Sequence, residues 1–130
     1  MIGNTDFSVA YQHNGKLLYA NKQIIPLPYD FDMSGLVDPS YAVANEALGL
    51  RDIQDRAYRG FKRDEALMND VRAQFLNNKE AFFAIIDGFK TQFDDPKEHQ
   101  EVVDYIASFF DVIESDKLFQ SKIMDKMRTK

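Results

Sequence analysis

Residues 3–35 read GNTDFSVAYQHNGKLLYANKQIIPLPYDFDMSG, and this stretch separates the chain from an all-helical protein. Within it, Lys16–Ala20 and Gln23–Leu27 are two apolar runs divided by Asn21 and Lys22. Asn tolerates positive φ, so the pair suits a two-residue hairpin turn. Pro26 and Pro28 each lack a backbone donor, which makes the second strand an edge or ends it there. Acidic and turn-forming residues follow from Tyr29 to Pro39.

Beyond Leu50 the pattern becomes helical. Arg51/Asp55, Asp52/Arg56 and Asp55/Arg59 stand four apart, a spacing that predicts a helix over 51–59. Leu67, Met68, Val71 and Phe75 recur at helical spacing behind Asp64 and Glu65, whose charge suits a helix start. Phe82, Ile85, Ile86, Phe89 and Phe93 form one stripe, with Asn77 or Asn78 as its cap. Asp95-Pro96 places a cap and a first-turn proline before Val102, Val103, Ile106, Phe109, Phe110 and Ile113. Ser115 caps a last segment carrying Leu118, Phe119, Ile123 and Met127. The expected fold is α+β, mainly α: an N-terminal β-hairpin followed by four to five packed helices, with the phenylalanine stripes as core.

Length and composition agree with one domain over 1–130. The 130 residues contain no Cys, which removes disulfides, thiolate metal sites and a cysteine nucleophile. A net charge of −5 argues against nucleic acid as a partner. There is no apolar run of membrane-spanning length and no basic-then-apolar leader, so the expectation is a cytoplasmic protein without a membrane partner. Charge is uneven: residues 94–116 hold eight acids against Lys97, and residues 117–130 hold five bases against Asp125. The acidic run reads as a solvated face that can also dock a basic partner or a second copy.

Chemistry concentrates at the two ends of the hairpin. Asp6 and Asn14 precede it, and Asp30 and Asp32 leave it. Strands running out and back bring these loops to one end. That assembles hard oxygen donors of the kind that suit Mg²⁺ more than zinc or copper. Asp30 to Gly35 also has the opening spacing of a calcium loop, but its twelfth position is Tyr41 in place of glutamate.

The same residues resemble a known family. Gly3-Asn4-Thr5-Asp6, Asn14 at the head of a hairpin, and Tyr29-Asp30-Phe31-Asp32 at its exit are similar to the catalytic and metal loops of the protein-kinase-like fold, most closely the HipA-type serine kinases. The resemblance implies that Asp6 is the catalytic base and that Asn14 and Asp30, with Asp32 as the alternative, hold Mg²⁺ on ATP. It implies that the helices correspond to a kinase C-terminal lobe. Asp6 and Asn14 are further apart than in the family, which implies an insertion in the loop. The chain has no glycine-rich loop, strand lysine or partner glutamate. The resemblance therefore implies the C-terminal part of a longer kinase-like protein, inactive alone, with a missing N-terminal lobe or a second copy as partner. A core divided in this way is expected to expose apolar surface near Ile2, Phe7 and Leu17. The alternative function is a non-catalytic helical interaction domain using the acidic 94–116 face.

Overall fold

Asn21 and Lys22 adopt φ of 52° and 61°, the two consecutive positive values of a type I′ turn. They close an antiparallel hairpin of β1 (Gly15–Ala20) and β2 (Gln23–Pro28) in which Ala20 pairs with Gln23, Leu18 with Ile25 and Lys16 with Leu27. The computed structural model describes residues 1–9 and 11–129. It shows a mainly helical α+β chain, the hairpin followed by α1 (Glu65–Asn77), α2 (Lys79–Gly88), α3 (Pro96–Glu114) and α4 (Asp116–Lys122). No helix among the described residues is long and apolar enough to cross a membrane. By compactness the chain divides between Arg56 and Ala57, close to the change of pattern near Leu50.

In the first unit, segment 2–4 runs beside segment 34–36. Asn4 and Ser34 form an antiparallel bridge, Gly35 N–H donates to the Gly3 carbonyl at 3.3 Å, and Leu36 N–H to that of Ile2 at 3.2 Å. Ser34 is fully buried, and its Oγ has no hydrogen-bond partner among the described residues. The helix expected over 51–59 is absent. Asp55 Oδ2 instead accepts from the backbone N–H groups of Arg51 (2.8 Å) and Asp52 (3.1 Å), and Asp52 Oδ1 accepts from Gln54 N–H at 2.8 Å. Aspartates at this density bond to nearby backbone and favour turns over the helix that their spacing from arginine suggests. The two N–H groups hold the Asp55 carboxyl below its usual pKa, so this turn is held at neutral pH and loosens as acid protonates Asp55.

In the second unit α3 carries the core. Phe110 is fully buried and meets the rings of Phe82 at 5.9 Å, Phe83 at 5.8 Å and Phe109 at 5.4 Å, while Phe75 packs edge-on against Phe109. Tyr105, Ile106 and Ile113 on α3, Met68 on α1 and Phe119 on α4 are also buried. Three starts are capped: Asp95 accepts from Lys97 N–H and Ser115 Oγ from Leu118 N–H, as the sequence predicts, and Asp64, expected only as a charge favouring the helix start, accepts from Leu67 N–H. Asn78 stands at the start of α2 but makes no N-cap bond; its Nδ2 donates back to the Gln74 carbonyl at 2.7 Å and closes the end of α1. The expected Phe82-to-Phe93 stripe is cut short, since α2 ends at Gly88, and it is not all core: Ile85 within the helix is 61% exposed and Phe89 just beyond it 59%. Near the C-terminal end, Arg128 N–H donates to the Gly60 carbonyl and the Arg128 carbonyl accepts from Lys62 N–H, with the guanidinium over the Phe61 ring at 4.6 Å.

Candidate functional site: the loops at the open end of the hairpin

The long spacing between Asp6 and Asn14 is looped out by a local pairing. Ser8 and His13 exchange backbone bonds, each N–H donating to the other's carbonyl at 3.0 Å, so that His13 and Asn14 return beside Asp6. Asn14 Nδ2 donates to the Asp6 carbonyl at 3.0 Å and to Asp6 Oδ2 at 2.9 Å. His13 Nε2 lies 2.8 Å from Asp6 Oδ1. Each oxygen of the Asp6 carboxylate thus has its own partner. Asn4 Oδ1 accepts from Asp6 N–H at 2.8 Å and fixes the backbone that presents it.

The exit loop is tied to the same place. Tyr29 N–H donates to the Asn14 carbonyl at 3.0 Å, extending the strand ladder by one pair, so Asp30 emerges next to Asn14. Asn4 Nδ2 reaches the Asp30 carbonyl at 3.4 Å. Asn14 and Asp30 both adopt left-handed backbone, with φ of 47° and 59°. Asn and Asp are the non-glycine residues that tolerate this region best, and such conformations concentrate where a loop is held for function. Asp30 to Gly35 is preceded by β2 and followed by turns, so the flanking helices of a calcium hand are absent here.

Electrostatics set the exposed carboxyls apart. A hydrogen bond to Asp32 and the charges of Asp32 and Asp6 push the Asp30 carboxyl above its usual pKa. Asp32 is held below its usual pKa, first by the Tyr41 hydroxyl, which donates to Oδ2 at 2.9 Å, and then by Asp30. Bonding to Asp32 in turn raises the Tyr41 phenol. Of this pair, Asp30 therefore takes up a proton before Asp32 as pH falls. Replacing Tyr41 with Phe is expected to raise the Asp32 midpoint toward the ordinary carboxylate range in a carboxyl ¹³C titration; an unmoved midpoint would show that the hydroxyl does not stabilise the ionised form.

All four residues singled out in the sequence, Asp6, Asn14, Asp30 and Asp32, gather at this end of the hairpin. The sequence assigns no site role to two others, His13 and Tyr41, the latter met only as the twelfth position of the calcium-loop spacing. His13 adjoins Asn14, the only signal available for it, whereas Tyr41 lies nine residues beyond Asp32 in a turn-rich stretch and carries no signal. Among the described residues no group of three or more His, Asp or Glu side chains forms a metal-binding set. The donors here are carboxylates and one carboxamide, a set with which magnesium, needing few protein ligands, is compatible. The helical unit has a separate concavity of about 340 Å³ between α1 and α2, lined by Gln74, Phe75, Asn78, Ala81, Phe82 and Ile85. It offers no acid, base or nucleophile. No protein-family profile, no curated protein and no solved structure matches the chain.

Proposed function

We propose that the loops at the open end of the hairpin form a magnesium-nucleotide site, and that the chain acts as the C-terminal lobe of a HipA-like phosphotransferase, inactive until an N-terminal lobe or a second copy completes the site. The observation that carries this reading is the hydrogen-bonded cluster itself: Asn14 bonds directly to the Asp6 carboxylate and pairs through its carbonyl with Tyr29, the residue before Asp30. In this reading Asp6 Oδ1 or Oδ2 accepts the proton of an attacking hydroxyl, with His13 and Asn14 fixing the carboxylate's direction. Asn14 Nδ2 is engaged by Asp6, which leaves its Oδ1 to face a cation together with the carboxylate of Asp30 or Asp32. Bound magnesium supplies neutralisation of the nucleotide phosphates. The crowding that raises Asp30 is relieved by a divalent cation, which supports a cation there.

The test is calorimetric titration of Mg-ATP into the chain and into Asp30→Ala. Heat from the native chain that disappears in the variant is expected. No heat at millimolar nucleotide would remove the nucleotide reading for this chain. It would leave the second reading, a helical interaction domain, which is favoured by Glu98, Glu101, Asp104 and Asp111 standing exposed along α3.

A further inference from the structure

The hairpin is a sheet of only two strands, and it is apolar on both faces. Leu17, Tyr19 and Ile24 on one face are 42%, 71% and 67% exposed; Leu18, Ile25 and Leu27 on the other are 46%, 39% and 45% exposed. Of the region expected to expose apolar surface, Ile2 and Phe7 are half-buried, while Leu17 is open. Two-stranded hairpins are marginal by themselves, and apolar side chains concentrated on one usually face a partner.

The two edges of this hairpin are not equivalent. Ala20 and Gln23 close the turn as a hydrogen-bonded pair, and the Tyr29-to-Asn14 bond shows the same phase at the other end. The even-numbered residues of β1 therefore bond to β2, and Gly15, Leu17 and Tyr19 turn their N–H and C=O groups outward. On β2 the outward positions are Ile24, Pro26 and Pro28, and two of those three have no N–H to give. The edge of β2 is blunted by proline, whereas the edge of β1 is open at Leu17 and Tyr19 with donors and acceptors intact, Gly15 being buried against the Phe7 ring. The β1 edge has no partner strand among the described residues. From Gly15 to Tyr29 the only charges are those of Lys16 and Lys22.

We propose that the outer edge of β1 is a strand-addition site that takes an extended, proline-free segment of a partner protein, in which apolar side chains alternate with acidic ones. Backbone bonds to Leu17 and Tyr19 hold the segment, its apolar residues extend the face of Leu17 and Tyr19, and its acids, on the opposite face, answer Lys16. This proposal is independent of the nucleotide reading.

The probe is an eight-residue peptide of alternating valine and glutamate, added to the ¹⁵N-labelled full chain. Binding is expected to slow amide exchange at Leu17 and Tyr19 by at least about tenfold while leaving Ile24 unchanged. A peptide N-methylated on its bonding edge, and one with lysine in place of glutamate, are expected to lose the effect. Leu17→Pro removes an outward donor without breaking a hairpin bond and is expected to abolish binding, with a far-UV spectrum unchanged. Absence of binding at millimolar peptide, protection at Ile24 in place of Leu17 and Tyr19, or equal binding of the N-methylated peptide would overturn the proposal. So would concentration-dependent protection of Leu17 and Tyr19 in the free chain, which would make a second copy the occupant.

Discussion

Phe110→Ala is expected to lower the stability of the helical unit by about 3–5 kcal/mol, the range for deleting a fully buried aromatic ring from a core. No other described large side chain is as completely enclosed, and its ring is the meeting point of Phe82 and Phe83 from α2 and Phe109 from α3. Deleting it leaves a cavity that two helices would have to collapse around. Domains have about 5–15 kcal/mol in total, and a unit this small lies toward the lower end, so the variant should be largely unfolded at physiological temperature. Urea denaturation followed by far-UV circular dichroism measures this. Ile85→Ala serves as the control, because a residue 61% exposed should change stability by no more than about 0.5 kcal/mol. Equal effects from the two substitutions would mean that the core lies elsewhere.

Arg72→Ala is expected to cost about 2–3 kcal/mol, nearly all of it from the corner between α3 and α4. Arg72 Nε donates to the Ile113 carbonyl at 2.5 Å and an Nη to that of Glu114 at 3.2 Å, satisfying two carbonyls at the C-terminal end of α3 that the helix itself leaves open. The guanidinium also stacks over Phe119 at 4.6 Å. Its ion pair with Asp116 at 2.8 Å contributes little, because Asp116 is 94% exposed and such pairs are worth at most about 1 kcal/mol. Arg72→Lys keeps the charge but not the fork, and should recover less than half of the loss. Asp116→Asn should be nearly neutral in the same urea experiment. If Asp116→Asn cost as much as Arg72→Ala, the ion pair and not the carbonyl capping would hold this corner.

Local signals in the sequence are reliable where one residue type solves one backbone problem. Asn21 at a positive φ, Asp95 before Pro96 and Ser115 before α4 each satisfy a requirement that few other residues meet, and each stands where expected. Periodicity misleads where polar side chains have a second use. The Arg and Asp residues of 51–59 have helical spacing, yet Asp52 and Asp55 bond to backbone N–H groups and fold the segment into turns. The stripe from Phe82 to Phe93 gives no sign that Gly88 ends α2, because Phe89 and Phe93 continue the same apolar spacing. At the loops, residue types chosen for oxygen donors find Asp6, Asn14, Asp30 and Asp32. The Ser8–His13 pairing that brings His13 onto Asp6, and the reach of Tyr41 to Asp32, depend on tertiary placement.

In the proposed function a divalent cation binds at the open end of the hairpin and not on the acidic helix. Substoichiometric Mn²⁺ added to the ¹⁵N-labelled chain tests it most directly, since paramagnetic broadening reports proximity whether or not a nucleotide site is complete. The predicted result is that the amide signals of Asp6, Asn14, Asp30 and Asp32 broaden first, and that Asp30→Asn abolishes this while leaving the spectrum of α3 unchanged. Broadening that begins along α3 at Glu98, Glu101 and Asp104, and that is the same in Asp30→Asn, would contradict it.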